Sequence, residues 1–462
     1  MSRLLISAAH KSSGKTTVSI GLCAALRARG LAVQPFKKGP DYIDPMWLAQ
    51  ASGRPCYNLD FYVQSRDEIR ASFQRHSVGT DIALVEGNKG LYDGLDLDGS
   101  NSNAELSKLL KLPVVLVIDT RGVIRGVAPL LLGYQAFDRD VNIAGVILNN
   151  VGGARHESKL RAVVEHYTDI PLLGAVHHDA GMQILERHLG LVPANEQAEA
   201  QQHIGEVAQN VAKQVDLDRL LQIAGTAMPL EPIKFPAPAA KPAPVRIAIA
   251  QDAAFGFYYA DDLEQLREAG AELLPFDALH DANLPQADAL FIGGGFPESF
   301  GKELAANQSL RAEIHAAIEA GLPTYVECGG LMYLSRSLSW KEQTHEMVGV
   351  IPGDVVMHPK PVGRGYVRLQ ETGALPWAPE PGEVKAHEFH YSSLENLPAG
   401  LTYAYEVKRG HGIDGKHDGL VYKNLLASYS HLRSVAGHNW AARFVEWVRA
   451  QRRDAPRAAN AN

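Results

Sequence analysis

Cys328 lies in the run Val326-Glu-Cys-Gly-Gly330, between an apolar strand-like stretch and the helix-like Gly329–Leu334. A cysteine on a glycine-flanked strand-to-helix turn is lifted clear of a sheet. At a helix start its thiolate is favoured over its thiol. This is a nucleophile elbow with sulfur in place of oxygen. Such a thiol needs an imidazole to activate it and later to return a proton to the leaving group. His431, in the polar stretch after Leu425-Leu-Ala-Ser-Tyr429, is the best-placed base. His387 and His390 are rivals whose simpler reading is a satisfied histidine beside a sheet. Successive glycines let backbone N–H groups approach a ligand closely. Gly294 and Gly295, after the apolar run Ala289–Ile292, are therefore candidate oxyanion donors together with Gly329.

A second chemistry lies at the other end of the chain. Leu4–Ser7 leads into Ala8-Ala-His-Lys-Ser-Ser-Gly-Lys-Thr-Thr17. Gly14-Lys15-Thr16 is the ending of a phosphate-binding loop. Its backbone N–H groups and the helix start would hold phosphates, Lys15 the outer phosphate oxygens, and the Thr16 hydroxyl Mg²⁺. The usual first glycine is replaced by Ala8 or Ala9. Two acidic segments follow the next strands, Phe36–Pro45 and Val85–Gly94. Ligand crevices of open α/β sheets lie at the carboxyl ends of the strands, so these loops converge on the phosphate loop. Asp41 and Glu86 are then candidate Mg²⁺ ligands, and Lys37 a second phosphate or acyl-phosphate cation.

The elements that must position these groups are legible as apolar runs. Arg3–Ser7, Ala32–Phe36, Ile82–Val85, Val114–Ile118, Ile143–Leu148 and Leu172–Val176 are apolar throughout rather than alternating. That pattern belongs to parallel strands covered by helices on both faces. Residues 1–227 are expected to be a doubly wound α/β domain. Residues 228–244 hold six prolines and read as a Pro/Ala linker. The pattern restarts at Val245. From Gly349 onward β-rich segments punctuated by Gly and Pro predict an antiparallel portion, in a second α/β domain over 245–450. Residues 451–462 read as a frayed tail.

The 462 residues carry a net charge of −7, which argues against a general nucleic-acid or anionic-membrane binder. Three cysteines, Cys23, Cys56 and Cys328, imply no disulfide framework and fit a reducing cytoplasm. Cys23 reads as core, Cys56 as a loop residue, and no zinc-ligand spacing occurs. No apolar run is long enough to span a bilayer.

Several motifs resemble one family. Phe36-Lys-Lys-Gly-Pro-Asp-Tyr-Ile-Asp-Pro45, Glu86-Gly-Asn-Lys-Gly-Leu-Tyr-Asp-Gly94 and Arg187-His-Leu-Gly-Leu-Val-Pro193 are similar to segments of the cobyrinic acid a,c-diamide synthases. So are Gly293-Gly-Gly-Phe-Pro-Glu298, Glu327-Cys-Gly-Gly-Leu-Met-Tyr333 and His387-Glu-Phe-His-Tyr-Ser392, in family order across both domains. The resemblance implies a dethiobiotin-synthetase-like ATP domain joined to a class I, triad-type glutamine amidotransferase domain. It implies ATP- and glutamine-dependent amidation of the a and c acetates of a tetrapyrrole, through an acyl phosphate and ammonia released at Cys328. Gly14, Lys15, Thr16, Thr17, Lys37 and Asn149 are then expected at ATP, with Asn149 reading the adenine. Thr16, Asp41 and Glu86 are expected at Mg²⁺, and Tyr92 and Asp93 at the substrate. Class I amidotransferases commonly carry an acid two residues past the histidine. Here that residue is Arg433, so the third member is missing or comes from elsewhere. The phosphate loop and Leu95–Asn103 depart from the family pattern where the macrocycle should bind. Relatives of the family amidate sirohaem or other sirohydrochlorin derivatives, which keeps that substrate as an alternative. A rival of another class is a partitioning-type nucleotide switch with an inactive glutaminase-like domain. The expected partners are small molecules alone, and a homodimer is compatible with the sequence.

Overall fold

The computed structural model describes residues 1–182, 186–187, 190–196, 199–235, 244–377 and 382–454. Parts of the expected linker (236–243) and tail (455–462), and His188 and Leu189 of the Arg187–Pro193 motif, lie outside the described residues. The chain divides into two compact units, Met1–Pro236 and Ala237–Asn462.

The first unit is built on one parallel sheet. Its strands are β1 (Ser2–Ala8), β2 (Val33–Lys38), β3 (Tyr57–Leu59), β4 (Ile82–Glu86), β5 (Val114–Asp119), β6 (Ile143–Val151) and β7 (Leu172–His177), in the order β3-β2-β4-β1-β5-β6-β7. β2 and β4 are buried along their whole length, as strands covered on both faces are, and their burial takes in Gln34, Lys37, Lys38 and Glu86. Register aligns the site: Glu86 on β4 stands opposite Lys37 on β2 and Ile6 on β1. Helix α1 (Lys15–Ala28) leaves the phosphate loop and turns Val18, Leu22, Cys23 and Leu26 into the core. It packs against the helix Ala200–Gln214 at Gly21, where an added Cβ would lie 2.4 Å from Val211 Cγ2. That close approach fixes the axis of α1 and so the aim of its first turn.

The second unit mixes parallel and antiparallel pairing in a nine-stranded sheet. Its strands are β8 (Val245–Ala250), β9 (Ala271–Phe276), β10 (Ala289–Ile292), β11 (Thr324–Glu327), β12 (Gly363–Glu371), β13 (Glu383–His390), β14 (Thr402–Arg409), β15 (His417–Tyr422) and β16 (Leu425–Ser428). The order is β9-β8-β10-β11-β16-β15-β14-β12-β13. The first five run parallel and the last four are added antiparallel. The change falls at β16, beside the strand that delivers Cys328. One face carries an aromatic cluster of Phe291, Tyr325, Trp440 and Phe444, with Phe291 and Tyr325 stacked at 5.3 Å. Burial of each large apolar side chain stabilises the fold by about 1.5–3 kcal/mol, so this cluster anchors the base of β11.

Candidate functional site

The thiol is presented on a strained turn. Buried β11 ends at Glu327, and Cys328 then adopts φ 46°, ψ −101° before the helix Gly329–Leu334 begins. A non-glycine residue at positive φ is costly and persists only where its surroundings fix it. The Cys328 N–H donates to the Ser428 carbonyl at 2.7 Å and the Gly330 N–H to that of Gly293 at 3.1 Å. Both glycines are sterically required. A Cβ at Gly329 would lie 2.9 Å from the Gly295 nitrogen, and one at Gly330 2.4 Å from the Ile292 oxygen.

His431 follows β16 and meets Cys328 side chain to side chain. Its backbone exchanges hydrogen bonds with His387, at 2.7 and 3.3 Å. Its Nδ1 lies 3.3 Å from Oε2 of Glu327. Burial opposes the imidazolium, but contacts with Cys328 and Glu327 outweigh it and push His431 up to about 10. Burial and the neighbouring His431 together push His387 down to about 3, so that ring is neutral. His390 stacks on Tyr429 at 3.9 Å and contacts the Ser392 carbonyl, a packing role.

The carboxylate facing the imidazole is Glu327, directly before the nucleophile, and sequence reasoning passed over it. Its Oε1 accepts the Leu432 N–H at 2.8 Å and the Tyr325 hydroxyl, which locks it in place. A carboxylate at the end of an otherwise apolar buried strand was the available signal, since a buried charge demands partners. Arg433, at the position where an acid was sought, pairs with Asp261 and stacks over Tyr259 at 4.0 Å. It ties down the segment that carries His431.

Gly294 and Gly295 pair antiparallel with Phe257 and Phe255. A Cβ at Gly294 would come within 2.6 Å of His431 Cε1, and one at Gly295 within 1.9 Å of the Ala254 oxygen. The structure thus brings Cys328, His431, Gly294, Gly295 and Gly329 to one place.

In the first unit β1 hands over to the loop at Ala8, and Gly14 turns into α1 at φ 83°. A Cβ at Gly14 would lie 2.1 Å from Asn149 Nδ2, which donates to the Ser13 carbonyl at 2.9 Å. The Asn149 amide thus braces the loop. The Tyr134 hydroxyl donates to the Ala9 carbonyl from the other side. Lys15 is buried, and burial together with Lys37 lowers its pKa. Thr17 follows, half-buried in the first turn. The Thr16 hydroxyl donates to Glu86 Oε1 at 2.7 Å and Asp44 Oδ2 at 3.2 Å.

Lys37 is the hub of a buried carboxylate cluster. Its Nζ lies 2.5 Å from Asp44, 3.0 Å from Glu86 and 3.8 Å from Asp41. Burial works against its charge, yet these three acids hold it above the ordinary lysine value. Burial and then Asp44 push Asp41 up to about 7, while its Oδ1 accepts the N–H groups of Ile43 and Asp44 at a helix start. Burial raises Glu86, whereas Lys37 overcomes burial to hold Asp44 low. Asp44 was missed in the sequence. It sits in the first turn of the helix Ile43–Ser52, and its N–H donates to Asp41 Oδ1 at 3.1 Å, which brings the two carboxylates together.

Among the described residues no group of three or more His, Cys, Asp or Glu side chains forms a ready-made metal centre. Magnesium seldom uses one. It keeps waters and takes one or two carboxylates plus phosphate oxygens. Thr16 with Glu86 and Asp44, which meet at its hydroxyl, fit that demand, Asp41 stands beside them across Lys37, and Glu86 Oε2 is a buried acceptor with no hydrogen-bond partner among the described residues.

Comparisons with known proteins agree with both halves. Residues 5–192 match the model of the CobQ/CobB/MinD/ParA nucleotide binding domain, and residues 246–438 that of the CobB/CobQ-like glutamine amidotransferase domain. A protein of Magnetococcus marinus named cobyrinate a,c-diamide synthase is 49% identical, over 95% of this chain and 95% of its own length. The chain belongs to the cobyrinate a,c-diamide synthase family. Proteins of the same name from Methanosarcina acetivorans and Listeria innocua are 43% and 40% identical, over 96% and 94% of this chain and 95% and 96% of theirs. Membership makes the chain an ATP-dependent, glutamine-using ligase rather than a partitioning-type switch.

Two residues expected at the substrate of this family member are engaged in the loop itself. The Tyr92 hydroxyl donates to the Tyr134 carbonyl at 2.6 Å, and its ring packs on Phe137 at 4.7 Å. Asp93 is exposed and its Oδ2 accepts the Gly90 N–H at 2.9 Å. Both hold the turn after β4, and Tyr92 connects it through Tyr134 to the phosphate loop.

Proposed function

We propose that this chain converts the a and c acetate carboxylates of cobyrinic acid to amides, with ATP and glutamine, in cobalamin biosynthesis. The observation that carries this reading is near-full-length similarity to cobyrinate a,c-diamide synthases in a chain with both a thiol–imidazole pair and a phosphate loop.

In the second unit the Cys328 sulfur attacks the side-chain carbonyl carbon of glutamine. The N–H groups of Gly294, Gly295 and Gly329 receive the developing oxyanion. The His431 imidazolium gives its proton to the departing nitrogen, ammonia leaves and a thioester remains. Water, deprotonated by His431, then cleaves the thioester to glutamate and the free thiol. Glu327 orients the imidazole and favours its charged form.

In the first unit an acetate oxygen attacks the γ-phosphorus of ATP and ADP departs. Ammonia attacks the acyl carbon, phosphate leaves and a proton is lost. Each amide consumes one ATP, one glutamine and one water and yields ADP, phosphate and glutamate. Lys15 and Lys37 neutralise charge gathering between phosphate and carboxylate. Thr16, Glu86 and Asp44, with Asp41 beside them, would hold Mg²⁺, which would further neutralise the triphosphate charge.

The test is incubation with Mg-ATP and glutamine plus either cobyrinic acid or sirohaem, read by mass spectrometry. Two successive exchanges of OH for NH₂ on cobyrinic acid support the reading. Amide product from sirohaem alone overturns it.

A further inference from the structure

β2 ends on two successive lysines, which strand alternation sends to opposite faces. Lys37 is held by three carboxylates. Lys38 is 7% exposed, yet none of the ion pairs among the described residues includes it. Its Nζ donates to a neutral acceptor, Asn88 Oδ1, at 3.1 Å. An ammonium has three donors and is strongly hydrated in water. Burying one with no carboxylate in direct contact is costly, and an anion that reached it would offset that cost.

The surroundings of Lys38 are fixed. The Asn88 N–H donates to Asn103 Oδ1, and Asn103 Nδ2 donates to the carbonyls of Asn88 and Gly90. Asn103 itself is fully buried. The Asn88 side chain therefore sits on a clamped loop at the carboxyl end of β4, the same strand end that carries Glu86. Lys89, exposed and at φ 44°, adds a second cation at the rim. The charged groups acting on Lys38 are Asp60 just past β3, Lys89 and Lys37. Burial is the largest influence and lowers Lys38 to about 8.

We infer that Lys38, steered by Asn88 and flanked by Lys89, receives a carboxylate of the polyacidic substrate, separately from the phosphate cations Lys15 and Lys37. This rests on the tetrapyrrole-amidation reading. Within the protein Lys38 feels the carboxylate of Asp60 but makes no direct ion pair with it, and a cobyrinate acetate supplies the contacting anion. The amide acceptor Asn88 leaves two ammonium donors for it.

The test uses the full chain with Lys38→Met and Lys38→Arg, at saturating ATP and glutamine. Lys38→Met is expected to raise the KM for cobyrinic acid by about ten- to a hundredfold, the range for losing one charge-assisted contact. Its KM for ATP and its glutamine hydrolysis stay at wild-type values, and Lys38→Arg recovers most of the tetrapyrrole KM. An unchanged tetrapyrrole KM in an ATP-binding Lys38→Met protein overturns the inference, as does an equal rise in the KM for ATP. If Lys38→Met fails to bind ATP and so reports misfolding, the exposed Lys89→Met decides. There a rise of about threefold in the tetrapyrrole KM at low ionic strength supports the site, and no change overturns it. The two failures are distinguishable. A wild-type protein that amidates no tetrapyrrole sinks the functional reading and this one with it, whereas an unchanged KM in an active Lys38→Met protein sinks this one alone.

Discussion

At the scale of single residues, the glutaminase centre stores strain at Cys328 and charge at His431. The φ of 46° penalises any residue with a Cβ, and glycine escapes that penalty. Cys328→Gly is therefore expected to be more stable than Cys328→Ala by about 1 kcal/mol, both being inactive toward glutamine; urea unfolding of the two variants measures the difference. A more stable alanine variant would mean that the turn is relaxed. His431 behaves oppositely to a simple buried histidine. Burial alone would keep it neutral, but Cys328 and Glu327 raise it to about 10, against about 6.5 in an unfolded chain. A raised folded value contributes stability that is fully present below pH 6.5 or so and is lost as the pH climbs through about 10. The catalytic consequence is a plateau of glutaminase activity reaching into alkaline pH. Glu327→Gln removes one of the two raising contacts. The alkaline limb of kcat/KM for glutamine hydrolysis should then move to lower pH by about one unit or more. A limb that stays in place would remove Glu327 from the role given to it here.

At the scale of elements, close backbone approaches set the geometry. A Cβ at Gly294 would press on His431 Cε1 at 2.6 Å, so Gly294→Ala must displace the ring or the strand pair that bears it. Glutamine hydrolysis should fall by about a hundredfold, the scale of a disturbed oxyanion site. ATP-driven amidation with ammonium salts should be unaffected, and parallel assays of the two reactions check this. The elements were legible in the sequence to the extent that each declared itself locally. Apolar runs such as Ile82–Val85 and Val114–Ile118 could be little else than covered parallel strands, and the structure places them so. β3, three residues long, is too short for any periodicity. The side chains that completed the sites were harder to see, because their roles depend on register. Glu327 meets His431 only because β11 and β16 pair in parallel, and Asp44 reaches Thr16 only once helix Ile43–Ser52 folds back over the loop. Asn149 and Tyr92 were expected at ligands, and the structure engages both in bracing the loops that would bind them.

At the scale of the whole molecule, one chain holds a glutamine amidotransferase domain with a thiol–imidazole pair and a nucleotide-binding domain with a phosphate loop, in separate compact units. Each unit has its own core and its own catalytic charges, so a lesion in one should leave the chemistry of the other intact. Cys328→Ala deletes the attacking atom. It should abolish glutamine-dependent amidation, yet ammonium chloride should restore amide formation, because attack on an acyl phosphate needs ammonia and not its source. Lys15→Ala makes the reciprocal lesion. Its ammonium stands within the charge field of Lys37, Glu86, Asp44 and Asp41, and its loss should stop amidation from either nitrogen source. Glutamine hydrolysis in Lys15→Ala then separates two designs of the whole enzyme. If glutamate is still released at the wild-type basal rate, the units run independently and the thiol is always poised beside His431. If glutamate release falls with amidation, an occupied synthetase site must switch the glutaminase on, and the thiol–imidazole pair described here would be a resting arrangement. The contact is made by two paired strands of the second unit, β11 and β16, with no residue of the first unit in it, and the first result is the one expected.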